Sequence, residues 1–148
     1  MRERSWRNGD VKMLDTIPIH PAPSPAANAP ALLQEIAAAL DVLLLSGRRH
    51  CIDLGSLPLS SADRDLLRET LGTGEVRMEL EALGNSRIEE TGVPGVWWVR
   101  HFSEDGILLT ESLEVCHVPE IVPADTTDIT IGLQRLRQRI AVPESGGH

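Results

Sequence analysis

Hydrophobic positions along this chain change period near residue 75, and that change divides the fold into predicted helices and strands. From Pro30 to Ser46, "PALLQEIAAALDVLLLS" repeats Leu33, Ile36, Leu40 and Leu44 at helical spacing. Proline suits the first position of this predicted helix. Gly47 supplies a stop, and Arg48 and Arg49 follow where the helix dipole favours positive charge. "HCIDLGSL", His50 to Leu57, reads as a short buried strand. A Ser60-x-x-Asp63 capping pattern then opens a second helix over Ala62 to Leu71, closed by Gly72.

Beyond that point the period is two. "EVRMELEAL" sets Val76, Met78, Leu80 and Ala82 on one face and Arg77, Glu79 and Glu81 on the other, the mark of a half-buried strand. Gly84-Asn85 signals a hairpin turn. The run from Arg87 to Phe102 is too long for one flat strand, and Gly92, Pro94 and Gly95 predict a bulge or bend within it. "SEDG" is another turn, and "ILLTESLEVCHV" a further antiparallel strand. Ile129, Leu133, Leu136 and Ile140, stepping by 4, 3 and 4, predict a final helix before Pro143.

The predicted order α-β-α-β-β-β-α argues an α+β fold: a mostly antiparallel sheet of about four strands with helices packed on one face. One domain over residues 30–142 is expected. Residues 1–29 read as a Pro-rich tail, with proline at 18, 21, 23 and 25, and residues 143–148 as a flexible one.

Composition narrows the function classes. The chain has 148 residues and a formal net charge of -8, which argues against non-specific nucleic-acid binding and against an anionic membrane surface. Two cysteines make no disulfide framework and fit a reducing compartment. "MRERSWRNGD" has no apolar stretch behind it and is no signal peptide, while the apolar run Ala37 to Leu45 is broken by Asp41. A cytoplasmic location is expected.

Candidate chemistry is sparse. Cys51, Cys116 and His117 could offer sulfur and imidazole to a metal or an iron–sulfur cluster, but no CxxC or HxxxH spacing supports them. Small buried thiols and surface histidines are the plainer expectation. Glu89, Glu90, Glu111 and Glu114 lie on neighbouring predicted strands, where cross-strand ion pairs with Arg87 and Arg100 are favoured over acid–base catalysis. Glu111 shares parity with Leu113 and Val115, so if it faces inward it needs a partner. "LGTGEV" lies between a helix and a strand, the reverse of a phosphate loop, so Gly72 is read as a cap and Gly74 as a turn. No nucleophile, base and orienting residue form a set; a non-enzymatic protein without a resident cofactor is expected.

The tryptophan pair "VWWV" remains. Neighbours on a strand point to opposite faces, so a one-sided core accommodates only one of Trp97 and Trp98. Either the strand is covered on both faces, or one indole lies exposed as an anchor for a partner, a homodimer included.

"ETGVPGVWWVRHF", with "LGTGEV" ahead of it and "LTESLEVCHVPEIV" behind it, resembles the C-terminal conserved region of hydrogenase expression/formation proteins of the HupH/HyaF/HoxQ type. The approach "DLGSLPLSSADRDLLRETLGTGEV" and the closing "GLQRLRQRI" extend the resemblance from about Leu32 to Ile140. It implies a non-catalytic chaperone in nickel–iron hydrogenase maturation that holds the small, iron–sulfur subunit precursor, alongside other maturation proteins. Carried onto this chain, its signature points to Glu90, Thr91, Pro94, Gly95 and Trp97 as partner-binding residues, with Trp98 as neighbour. Two departures stand out: many relatives have a further N-terminal region, and the second tryptophan is an addition.

Overall fold

The run from Arg87 to Phe102 is two strands rather than one bent strand, because the Thr91–Gly95 segment reverses the chain completely. In the computed structural model, which describes residues 27–142, the elements are α1 (Ala29–Ser46), β1 (His50–Asp53), α2 (Ser61–Leu71), β2 (Arg77–Glu81), β3 (Asn85–Glu90), β4 (Val96–Phe102), β5 (Leu108–Val115) and α3 (Thr126–Ala141). The two tails fall outside the described residues, apart from residues 27–29. Five strands form one wholly antiparallel sheet in the order β1-β5-β4-β3-β2. The α+β class holds, with one strand more than expected.

Local chemistry sets the helix starts. Ser60 Oγ accepts from the Asp63 N–H at 3.0 Å while Asp63 Oδ2 accepts from the Ser60 N–H at 3.1 Å, the reciprocal capping box that the sequence predicts. Asp63 does more. Its other oxygen, Oδ1, accepts from the N–H groups of Asn28 and Ala29, both at 2.9 Å, so one carboxylate serves the first turns of both α1 and α2.

The phase of α1 differs from the expectation. Ala29, Leu32, Ile36, Ala39 and Leu43 are buried, whereas Leu44 is exposed. This run is apolar almost all round, so helical spacing alone does not say which stripe faces the sheet. At 18 residues and a mean hydropathy of 1.5, α1 is long and apolar enough to cross a membrane; here its buried face belongs to the core. Gly47 caps it at φ 71°, its N–H bonding Leu43 O at 2.8 Å. Arg49 does not serve the helix end but donates to the Val118 carbonyl. The predicted strand His50 to Leu57 is shorter than expected, ending at Asp53 in a 3-10 turn over Leu54–Ser56.

Alternation gives the sheet two apolar faces. On one, Val96, Trp98, Leu113, Val115 and Ile52 pack with α1 and with Leu67 and Leu71 of α2. On the other, Ile88, Trp97, Val99 and Cys116 pack together, bordered by Met78, Leu80 and Val122. In contrast, no residue of α3 is buried.

Candidate functional site

Trp97 and Trp98 are 4% and 6% exposed, so the strand is covered on both sides and neither indole is an open anchor. Their burial is complete within one chain and needs no dimer partner. Trp97 also spends its polar group internally: Nε1–H donates to the Cys116 carbonyl at 3.1 Å, tying β4 to the segment after β5.

The signature residues divide into two groups. Thr91 is buried and shapes the turn. Its hydroxyl donates to Val93 O and accepts from the Val93 N–H, each at 3.1 Å, and its own N–H reaches Val96 O at 2.9 Å. Pro94 is exposed, and Gly95 takes φ 87° beside Leu40 and Leu43 of α1 while its carbonyl accepts from the Cys116 N–H. Of these, Gly95 lies against α1. In the β3–β4 register Glu90 stands opposite Trp97, whereas Trp98 stands opposite Glu89 on the face that packs α1 and α2. With Glu89, Arg100, Arg68, Gly72 and Thr73, Glu90 and Trp98 line a cleft of about 220 Å³ between the end of α2 and the β3–β4 pair.

This cleft exists because two glycine-bearing segments meet backbone to backbone. Gly74 N–H bonds Glu90 O at 2.9 Å, and a Cβ on Gly74 would stand 2.5 Å from Thr91 O. A Cβ on Gly92 would stand 2.9 Å from Leu71 O. Gly72 is the predicted helix cap, bonding Arg68 O at 2.9 Å. Gly74 is more than a turn residue: it is the clearance for the signature loop. "LGTGEV" holds the cleft residues Gly72 and Thr73, but only their distant partner reveals the use, and Arg68, on α2 ahead of it, carried no sequence signal.

Arg100 is the fixed cation of the cleft wall. Its Nε donates to Glu111 Oε2 at 2.7 Å, Nη1 lies 3.6 Å from Glu89 Oε2, and the guanidinium sits 5.3 Å from the centre of the Trp98 ring. Arg64 donates to the other Glu111 oxygen. Glu111, 5% exposed, thus finds the partner its inward parity demanded. Burial opposes its ionisation, but the bonds from Arg100 and Arg64 outweigh that and hold its carboxyl below the usual range. Glu89 and Glu111 share Arg100 as cross-strand ion pairs, as expected. Among the described residues Glu90 and Arg68, which both line the cleft, form no ion pair.

Cys51 and Cys116 line a second pocket with Arg49, His50, Glu114 and Glu120. Cys51 is exposed rather than buried, and His117 is not among the lining residues. Burial, followed by the Glu114 carboxylate, pushes the Cys116 thiol up to about 11. A metal would have to displace that proton. Among the described residues no three His, Cys, Asp or Glu side chains converge as a ligand set.

Residues 26–142 match the family described as HupH hydrogenase expression protein, C-terminal conserved region. The chain is 38% identical over 89 residues to the hydrogenase expression/formation protein HoxQ of Azotobacter vinelandii, covering 60% of this chain and 31% of that one. It is 30% identical over 117 residues to HupH of Rhizobium leguminosarum bv. viciae, covering 79% and 42%. The solved structure of the hydrogenase expression protein HupH from Thiobacillus denitrificans superposes with a TM-score of 0.74 at 42% identity, covering 77% of this chain and 95% of that one. The chain therefore spans less than half the length of these two sequence relatives. It belongs to the HupH hydrogenase expression protein family, of which it carries the C-terminal conserved region.

Proposed function

We propose that this protein is a non-catalytic accessory factor in nickel–iron hydrogenase maturation, and that it holds the small-subunit precursor through the cleft at Glu90. Family membership over residues 26–142 carries the role, and the relatives' names, hydrogenase expression/formation proteins, support it. The cleft assignment rests on chemistry. Glu90, from the signature, and Arg68 both line the cleft and form no ion pair among the described residues. A peptide segment carrying both charges would satisfy the two. Thr91, Pro94, Gly95 and Trp97 hold the loop and strand that place Glu90, rather than touching the partner through an exposed indole.

The test is anaerobic co-purification from cells making the small- and large-subunit precursors. Wild type should retain the small-subunit precursor, and the charge-reversed pair Glu90→Arg with Arg68→Glu should lose it while staying folded. Retention by the variant would remove the cleft from the proposal. Retention of the large subunit instead would overturn the choice of partner.

A further inference from the structure

We infer that α3 is a dimerisation helix, and that its occupant is α3 of a second copy of this chain, packed antiparallel. The helix runs sixteen residues from Thr126 to Ala141, and every one is solvent-accessible. Ile129, Leu133, Leu136 and Ile140 lie 58%, 44%, 52% and 74% exposed. A free amphipathic helix of this length is marginal in water, so its order calls for a surface to cover that stripe.

The residues on the helix say what covers it. Steps of 4, 3 and 4 are the seam of a coiled coil, with Ile129 and Leu136 at d and Leu133 and Ile140 at a. Arg137 and Arg139 then flank the seam at e and g. Charge is segregated along the axis: Asp125 and Asp128 lie at the start, and Arg135, Arg137 and Arg139 near the end. Such a helix complements itself when reversed, as a two-fold axis across its middle would arrange. Each acidic end then lies by the partner's basic end. Parallel pairing would instead bring the two basic ends together.

Gly132 adds an independent reason. Glycine weakens a helix interior, and a Cβ at this position would meet nothing within 4 Å among the described residues. No contact among the described residues uses the clearance. In the antiparallel pair Gly132 falls beside the crossing point, where a missing side chain lets the two backbones approach.

Sedimentation equilibrium of the full 148-residue chain tests this. The expected mass is twice the 16.2 kDa of one chain, dissociating on dilution. Leu133→Asp with Leu136→Asp should reduce it to a single chain while the near-ultraviolet signal of the buried Trp97 and Trp98 persists. Mixed Ile129→Cys and Ile140→Cys chains, in a Cys51→Ser background, should cross-link to each other on oxidation. A single-chain mass up to about 1 mM protein would overturn the proposal. So would a dimer indifferent to the two aspartates, and cross-links of Ile129→Cys only to itself would overturn the antiparallel orientation.

Discussion

Trp97 and Trp98 are adjacent in sequence and buried in different cores, Trp98 against α1 and α2 and Trp97 against Ile88, Val99 and Cys116 on the opposite sheet face. The pair therefore works as a double rivet through β4. Replacing either with alanine should cost about 3–5 kcal/mol in urea denaturation. Trp97→Phe keeps most of the apolar contact but strips the Cys116 carbonyl of its donor, and should cost about 1–3 kcal/mol. A near-neutral Trp97→Ala would contradict the second core.

Acid should loosen the fold through Glu111 and Asp63. The Asp63 carboxyl is held low by the Ala29 N–H first, against burial, with Ser60 and Asn28 adding to it. Because both folded pKa values are lowered, their stabilisation is complete above the ordinary carboxyl range of about 4 and is lost as pH falls through the folded values. Glu114, raised by burial, acts in the opposite sense and offsets part of the loss. Urea midpoints followed from pH 7 downward should fall in acid, and Glu111→Gln should be less stable at neutrality but flatter in acid. A parallel pH profile in that variant would refute the role given to Glu111.

Gly74→Ala should separate the signature loop from the end of α2. The added Cβ meets the carbonyls of Thr91 and Glu90, at 2.5 and 2.8 Å, and backbone on both sides leaves little room to yield. A loss of about 1–3 kcal/mol is expected, together with weaker retention of the small-subunit precursor. Gly132→Ala should leave the stability of a single chain at least unimpaired, as its space is open.

Thiol labelling should distinguish the two cysteines. Cys51 is exposed and Cys116 is 2% exposed. At neutral pH a maleimide or disulfide reagent should modify Cys51 in the native protein and reach Cys116 only on unfolding. Burial raises the Cys51 thiol as well, so its labelling should accelerate with rising pH. Rapid modification of both thiols would contradict the packing around Cys116.

What the sequence made legible was local. The Ser60–Asp63 box, the Gly47 and Gly72 caps and the strand alternation are each written within a few residues, and each appears in the structure. Glu111 was legible through parity, since an inward carboxylate must be paired. The phase of α1 was not, because Leu32, Leu33, Leu43 and Leu44 make two equally apolar stripes. Nor was the cover over Trp97, which depends on Met78, Leu80 and Val122 arriving from other segments. The cleft was hidden for a related reason: the clearance at Gly74 has meaning only against Thr91, seventeen positions on.

Asp63 has a consequence for whatever stands ahead of α1. Its carboxylate grips the N–H groups of Asn28 and Ala29, and the Asn28 side chain donates to the Pro58 carbonyl at 2.9 Å. The chain therefore does not leave this domain from a fraying helix end. It departs from a moored point beside the start of α2, so a segment or domain joined there would inherit a fixed origin, and a pull on it would be transmitted to both helices together.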